Sequence, residues 1–136
     1  MRGSVQTVIG MVDPEDLGIT YPHAHLINIR TEETRDHDFV LDSVEKAVEE
    51  VGYFKKAGGQ TIVEMTPINS GRSPEKLREV ARRADINIIA ATGFFRGPYQ
   101  DWVNSSSEEE LSKLFVREVE RGIEGTDIKA GVIKIG

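Results

Sequence analysis

The chain contains no cysteine, and only 7% of its residues are aromatic. Without thiols it forms no disulfide and offers no thiolate to a metal, which makes the cytoplasm the expected compartment. It also lacks a hydrophobic run of about 18 residues, the length a membrane span needs, so no membrane partner is expected. The opening Met1-Arg2-Gly3-Ser4 is not followed by an apolar stretch of signal-peptide type, and no secretory leader is expected. Nor is there an excess of positive charge. The 17 Lys and Arg face 23 Asp and Glu, a net charge of −6. A nucleic-acid partner needs a basic footprint and is not expected. Arg78, Arg82 and Arg83 do cluster, but at helical spacing among acids, as a solvated helix face does.

What is present fits one domain of 136 residues, 38% of them apolar. Val5 to Gly10 alternates weakly, and Leu17 to Thr20 follows an Asp13-Pro14 turn signal. Together they predict a short N-terminal β-hairpin leading into a buried strand, Ile19 to Ile29. Pro22 has no N–H to give a ladder, which places the regular part of that strand at or after it. Arg30 to Asp38 is a polar loop whose His37 is expected to be exposed rather than a ligand. Val40, Val44, Ala47, Val48, Val51 and Phe54 follow helical spacing within Phe39 to Ala57, and Gly58-Gly59 stops that helix.

Gln60 to Thr66 is a β-branched strand. Ser73 and Pro74 then open a helix with Leu77, Val80, Ala81 and Ala84 on one face. Ile86 to Thr92 is apolar enough for a strand covered on both faces. An aromatic loop from Gly93 to Asn104 follows. Ser107 caps a helix running to about Gly122, and Ala130 to Gly136 begins a fourth strand. This alternation predicts a parallel α/β sheet. Four strands without a closing helix suit the first half (strands 1–4, helices 1–3) of a TIM (β/α)8 barrel, a fold of about 250 residues. The 136 residues are therefore expected to be a piece of a chain about twice as long.

Two sites carry chemistry. In Tyr21-Pro22-His23-Ala24-His25-Leu26, side chains alternate faces, so His23 and His25 project from the same side. They are either a pair of imidazole ligands for a zinc-like ion or two hydrogen-bonded histidines. Lys134 sits between Ile133 and Ile135. Buried there, its amine is driven toward the neutral form and can add carbon dioxide to give a carbamate. At the strand mouth it would instead reach water or pair with an acid.

His-x-His at the end of a first barrel strand, with a lysine at the end of a fourth, resembles the phosphotriesterase family of the amidohydrolase superfamily. "VQTVIGMVDPEDLGITYPHAHL" is similar to its N-terminal hairpin and first strand, "GGQTIVEMTP" to its second, "INIIAATGFF" to its third, and "GIEGTDIKAGVIKIG" to its approach to the lysine strand. The family's His-Glu-His reads His-Ala-His here, at a position facing away from the metals. The resemblance implies that His23 and His25 bind the more buried of two divalent ions, and that carboxylated Lys134 bridges both. Zinc is the expected metal, with iron, cobalt or manganese as alternatives. Further ligands from later strands, two histidines and an aspartate, have no counterpart in this sequence. The implied reaction is attack by a metal-bridging hydroxide on a phosphoester, lactone or carboxylic ester, with a small-molecule ester substrate and a homodimeric assembly.

By the same resemblance Phe94, Phe95, Tyr99 and Trp102 line the substrate pocket; ordinary loop packing explains the same aromatics. The position where lactone-cleaving members carry a tyrosine aligns with Phe95, which has no hydroxyl. Glu64 is expected in a salt bridge, and Thr66 and Thr92 on loop backbone. The alternative to an enzyme is a non-catalytic truncated half-barrel that self-associates through its open sheet edges.

Overall fold

The structure is a computed structural model that describes residues 3–31, 38, 40–97 and 99–136. A hairpin comes first: β1 (Val5–Thr7) pairs antiparallel with β2 (Gly10–Val12), Thr7 opposite Gly10. Gly10 thus opens the return strand instead of ending the first. Four parallel strands follow, β3 (Ile19–Ala24), β4 (Gly59–Glu64), β5 (Asn87–Phe94) and β6 (Val132–Ile135). Their spatial order equals their chain order, β3-β4-β5-β6. Sequential parallel neighbours joined by helices form an arc of a (β/α) barrel, and this sheet is half of one.

Three longer helices and one short one connect the strands: α1 (Val44–Lys56), α2 (Pro74–Ala84), α3 (Asp101–Ser105) and α4 (Glu108–Glu120). Each start has a local cause. The Ser43 hydroxyl accepts from the Lys46 N–H to open α1, Pro74 occupies the first turn of α2, and Ser107 with Glu110 forms a reciprocal capping box on α4. At the end of α2, Asp85 turns left-handed (φ 50°) and the Lys55 ammonium caps the Ala84 and Asp85 carbonyls. The core lies between sheet and helices, where Ile62, Ile88 and Ala90 meet Val44, Ala47 and Val51 of α1 and Leu77, Val80 and Ala81 of α2. Among the described residues no helix is long and apolar enough to cross a membrane.

Several expectations are corrected. The histidine strand begins at Ile19 and passes through Pro22, with a register shift between Tyr21 and Ala24 that absorbs the missing donor. It is not buried. As an edge strand without an outer neighbour it leaves Ile19 and Tyr21 exposed. The first helix starts at Val44 because the Leu41 N–H donates to the Asn28 carbonyl and the Leu41 carbonyl accepts from the Asn28 N–H in an isolated bridge, and Ser43 is the cap. His37 and Phe39 lie outside the described residues. The aromatic loop is shorter than expected: β5 continues to Phe94, and α3 occupies much of the remainder.

Candidate metal and substrate site

The carboxyl ends of β3 and β6 bring His25 and Lys134, with Phe95, to one mouth of the sheet. His23 lies within β3 and His25 just past its end. Their rings face each other edge to plane at 5.3 Å, and the two Nε2 atoms are 3.4 Å apart. Two nitrogens bound at about 2.0–2.1 Å to one tetrahedral ion would be separated by about 3.3 Å. The pair therefore has the spacing a shared cation asks for. Among the described residues no three His, Cys, Asp or Glu side chains converge on one point.

Behind His25 lies a buried carboxylate. Its Nδ1 is 2.9 Å from the Thr66 hydroxyl, which donates at 2.5 Å to Oε1 of Glu64. Glu64 is wholly buried and has the backbone N–H groups of Leu26, Ile27 and Thr66 directed at it. Burial pushes its pKa up, and the donated hydrogen bonds oppose that. The expected salt bridge at Glu64 is thus replaced by backbone donors and a hydroxyl. Thr66, expected on loop backbone, instead links Glu64 to His25. Burial, then the charges of Lys134 and His23, hold His25 below the ordinary imidazole value, which favours the neutral ring that binds metals.

Lys134 enters from the opposite edge of the sheet, on β6. It is the one buried residue of β6, between exposed Ile133 and Ile135. Its neighbour across the ladder is Gly93 at φ +106°, where a Cβ would lie 2.0 Å from the Lys134 carbonyl oxygen; only glycine allows this approach. The ammonium donates to the Met65 carbonyl at 3.1 Å and lies 5.1 Å from the centre of the Phe95 ring. Burial lowers its pKa, and Glu64 acts in the other direction. His25, Asn28, Ser70, Phe95, Arg96 and Lys134 wall one cavity of about 500 Å³.

The four aromatics do not act as one group. Phe95 lies beside Lys134, held by Asn69, whose side chain accepts from the Phe95 N–H at 2.7 Å and donates to its carbonyl. Phe94 is buried in a separate cluster with Tyr99, Trp102 and Phe115 of α4, its ring 5.5–6.0 Å from theirs. Sequence reasoning missed a second polar cluster, in the helix layer. There Arg72 makes a bidentate pair with Glu118 (2.6 and 2.8 Å) and reaches Glu124, while the Thr92 hydroxyl donates to Glu118. That hydroxyl was expected on loop backbone; the carboxylate is the stronger acceptor.

The model of the phosphotriesterase family matches residues 3–136. The chain belongs to the phosphotriesterase family. A phospho-furanose lactonase of Mycoplasmopsis agalactiae is 36% identical over 149 residues, a match spanning 97% of this chain and 42% of that protein. The crystal structure of a lactonase from Listeria monocytogenes superposes with a TM-score of 0.86 at 27% identity, covering 96% of this chain and 46% of the other. The phosphotriesterase structure from Mycobacterium tuberculosis gives 0.82 at 30% identity, with 98% and 45% covered. The chain thus spans less than half the length of these family members.

Proposed function

We propose that this chain supplies the metal-gripping half of a hydrolase of the phosphotriesterase type, acting on phosphoester, lactone or carboxylic ester bonds. The observation that carries the reading is the 3.4 Å convergence of the His23 and His25 Nε2 atoms, with His25 also lining the cavity that Lys134 enters. The donor types suit divalent ions, zinc first: imidazoles on one side and, on the other, a lysine whose pKa burial lowers. Lys134 would hold the ions after its unprotonated nitrogen added to the carbon of carbon dioxide and shed a proton, the resulting carbamate supplying carboxylate-like oxygens. Bound ions would lower the pKa of a coordinated water and polarise the electrophilic phosphorus or carbonyl. Phe95 walls the cavity against Lys134, and a space of about 500 Å³ suits a small-molecule ester. The lactonases among the family members support a lactone or related ester as substrate.

Metal analysis of the complete protein, prepared without chelator, tests this. About two divalent ions per chain are expected, with loss on His23→Ala or His25→Ala. Metal-free protein from such a preparation rejects the reading.

One observation favours a second reading, a half-barrel that self-associates. Ile135 is 82% exposed and Ile19 62%, on β6 and β3, the two edge strands of the sheet among the described residues. Light scattering on the 136-residue chain separates the two. A well-behaved dimer supports self-association, and insolubility shows that further strands are needed to cover those edges.

A further inference from the structure

We propose that Thr66, anchored by Glu64, is a positioning residue that fixes the proton of His25 on Nδ1 and so presents an unprotonated Nε2 beside His23. The inference rests on the metal reading above and adds to it which atom of His25 carries the hydrogen and what holds it there.

The argument is a count of hydrogens. A threonine hydroxyl has one hydrogen to give and lone pairs to receive. Thr66 Oγ1 has two polar neighbours, Glu64 Oε1 at 2.5 Å and His25 Nδ1 at 2.9 Å. Glu64 is surrounded by donors: the Leu26 N–H on Oε1, the Thr66 N–H on Oε2 and the Ile27 N–H. Three inward-pointing amides call for an acceptor-only carboxylate, and a carboxylate is a stronger acceptor than an imidazole nitrogen. The Thr66 hydrogen therefore goes to Glu64. The remaining contact needs a hydrogen, and only the imidazole can supply it. His25 carries it on Nδ1, and its Nε2 lone pair is left facing the His23 Nε2 at 3.4 Å. Thr66 is 1% exposed and Glu64 0%, so water does not compete for the bond between them, and the Thr66 hydrogen stays on Glu64 although the His25 ring itself is exposed. A neutral imidazole free in water favours the other tautomer, with hydrogen on Nε2. That hydrogen would occupy the ligand position.

The test uses the complete protein, metal-free, with 15N-labelled histidine, and assigns His25 by loss of its signals in His25→Gln. The wild type and Thr66→Ser are expected to show His25 protonated on Nδ1. Thr66→Val keeps the shape but removes the acceptor; its His25 is expected to move toward Nε2–H, and zinc affinity to fall about 10–100-fold. Thr66→Ser should restore both. The proposal is overturned if the wild type carries the hydrogen on Nε2, or if Thr66→Val changes neither the tautomer nor zinc affinity. Wild-type protein with the Nδ1–H signature that binds no zinc supports the proton placement and rejects the metal reading instead.

Discussion

Glu64 and Glu118 are both almost completely buried carboxylates, and they are satisfied in opposite ways. Glu118 sits in the helix layer and is closed: a bidentate guanidinium from Arg72 and the Thr92 hydroxyl occupy it. Glu64, at the end of β4, has no cation in hydrogen-bond contact among the described residues; backbone amides and one hydroxyl hold it, and that hydroxyl continues to His25. The first arrangement ends in the protein and ties α4 to the segment before α2. The second ends at an imidazole with a nitrogen open to the site mouth. Burial alone does not mark a functional acid; where its hydrogen bonds lead does.

The largest effect is expected from breaking the closed cluster. Arg72→Met strands the Glu118 charge in the helix layer and should cost about 3–5 kcal/mol in chemical denaturation. Arg72→Met combined with Glu118→Leu should recover most of that loss, since two apolar groups need no partner. Zinc binding by either variant should match the wild type where the protein folds. A single-site cost much below that range would mean that water reaches Glu118.

Glu64→Gln sharpens the other side. The amide sets an N–H₂ group against inward-pointing backbone N–H donors, and a stability loss of about 1–3 kcal/mol is expected. Glu64 also gives the comparison a pH signature. Its pKa is raised on folding, so the folded state holds the proton more tightly than the unfolded chain. Its contribution is most favourable below the ordinary glutamate value and declines as pH rises from there through the folded-state pKa. Denaturation midpoints of wild type and Glu64→Gln should diverge across that window, whereas a constant difference would show that Glu64 does not titrate on folding.

How much of this was legible in the chain depended on distance. Ser107 and Glu110, Pro74 and the two histidines announce themselves within a few residues, because caps and same-side alternation are local physics, whereas Ser73 stands at the N-cap of α2 without a side-chain capping bond. Arg72 reads as an ordinary loop residue and Glu118 as one more acid on an amphipathic helix; their pairing spans 46 residues and depends on tertiary packing. Thr66 looked like a rim hydroxyl for the same reason, since its partner His25 is 41 residues away. The stretch from Ile19 reads as a buried strand, yet β3 is an edge strand among the described residues, and its Ile19 and Tyr21 stay exposed.

The smallest effect serves as the control on both clusters. Ser107→Ala removes the capping box of α4 at the surface and should cost about 1 kcal/mol. Thermal unfolding should register it while the tautomer of His25 and zinc affinity stay unchanged. A change in either would couple the helix layer to the site mouth through α4 and blur the distinction between the two acids.

The most direct measurement is an anomalous difference map at the zinc edge from crystals of the complete protein grown with zinc. The account predicts an ion about 2.0–2.1 Å from Nε2 of both His23 and His25, on the side of the strand that faces Lys134. An ion bound elsewhere, or rings of residues 23 and 25 turned apart in protein that carries zinc, would contradict it.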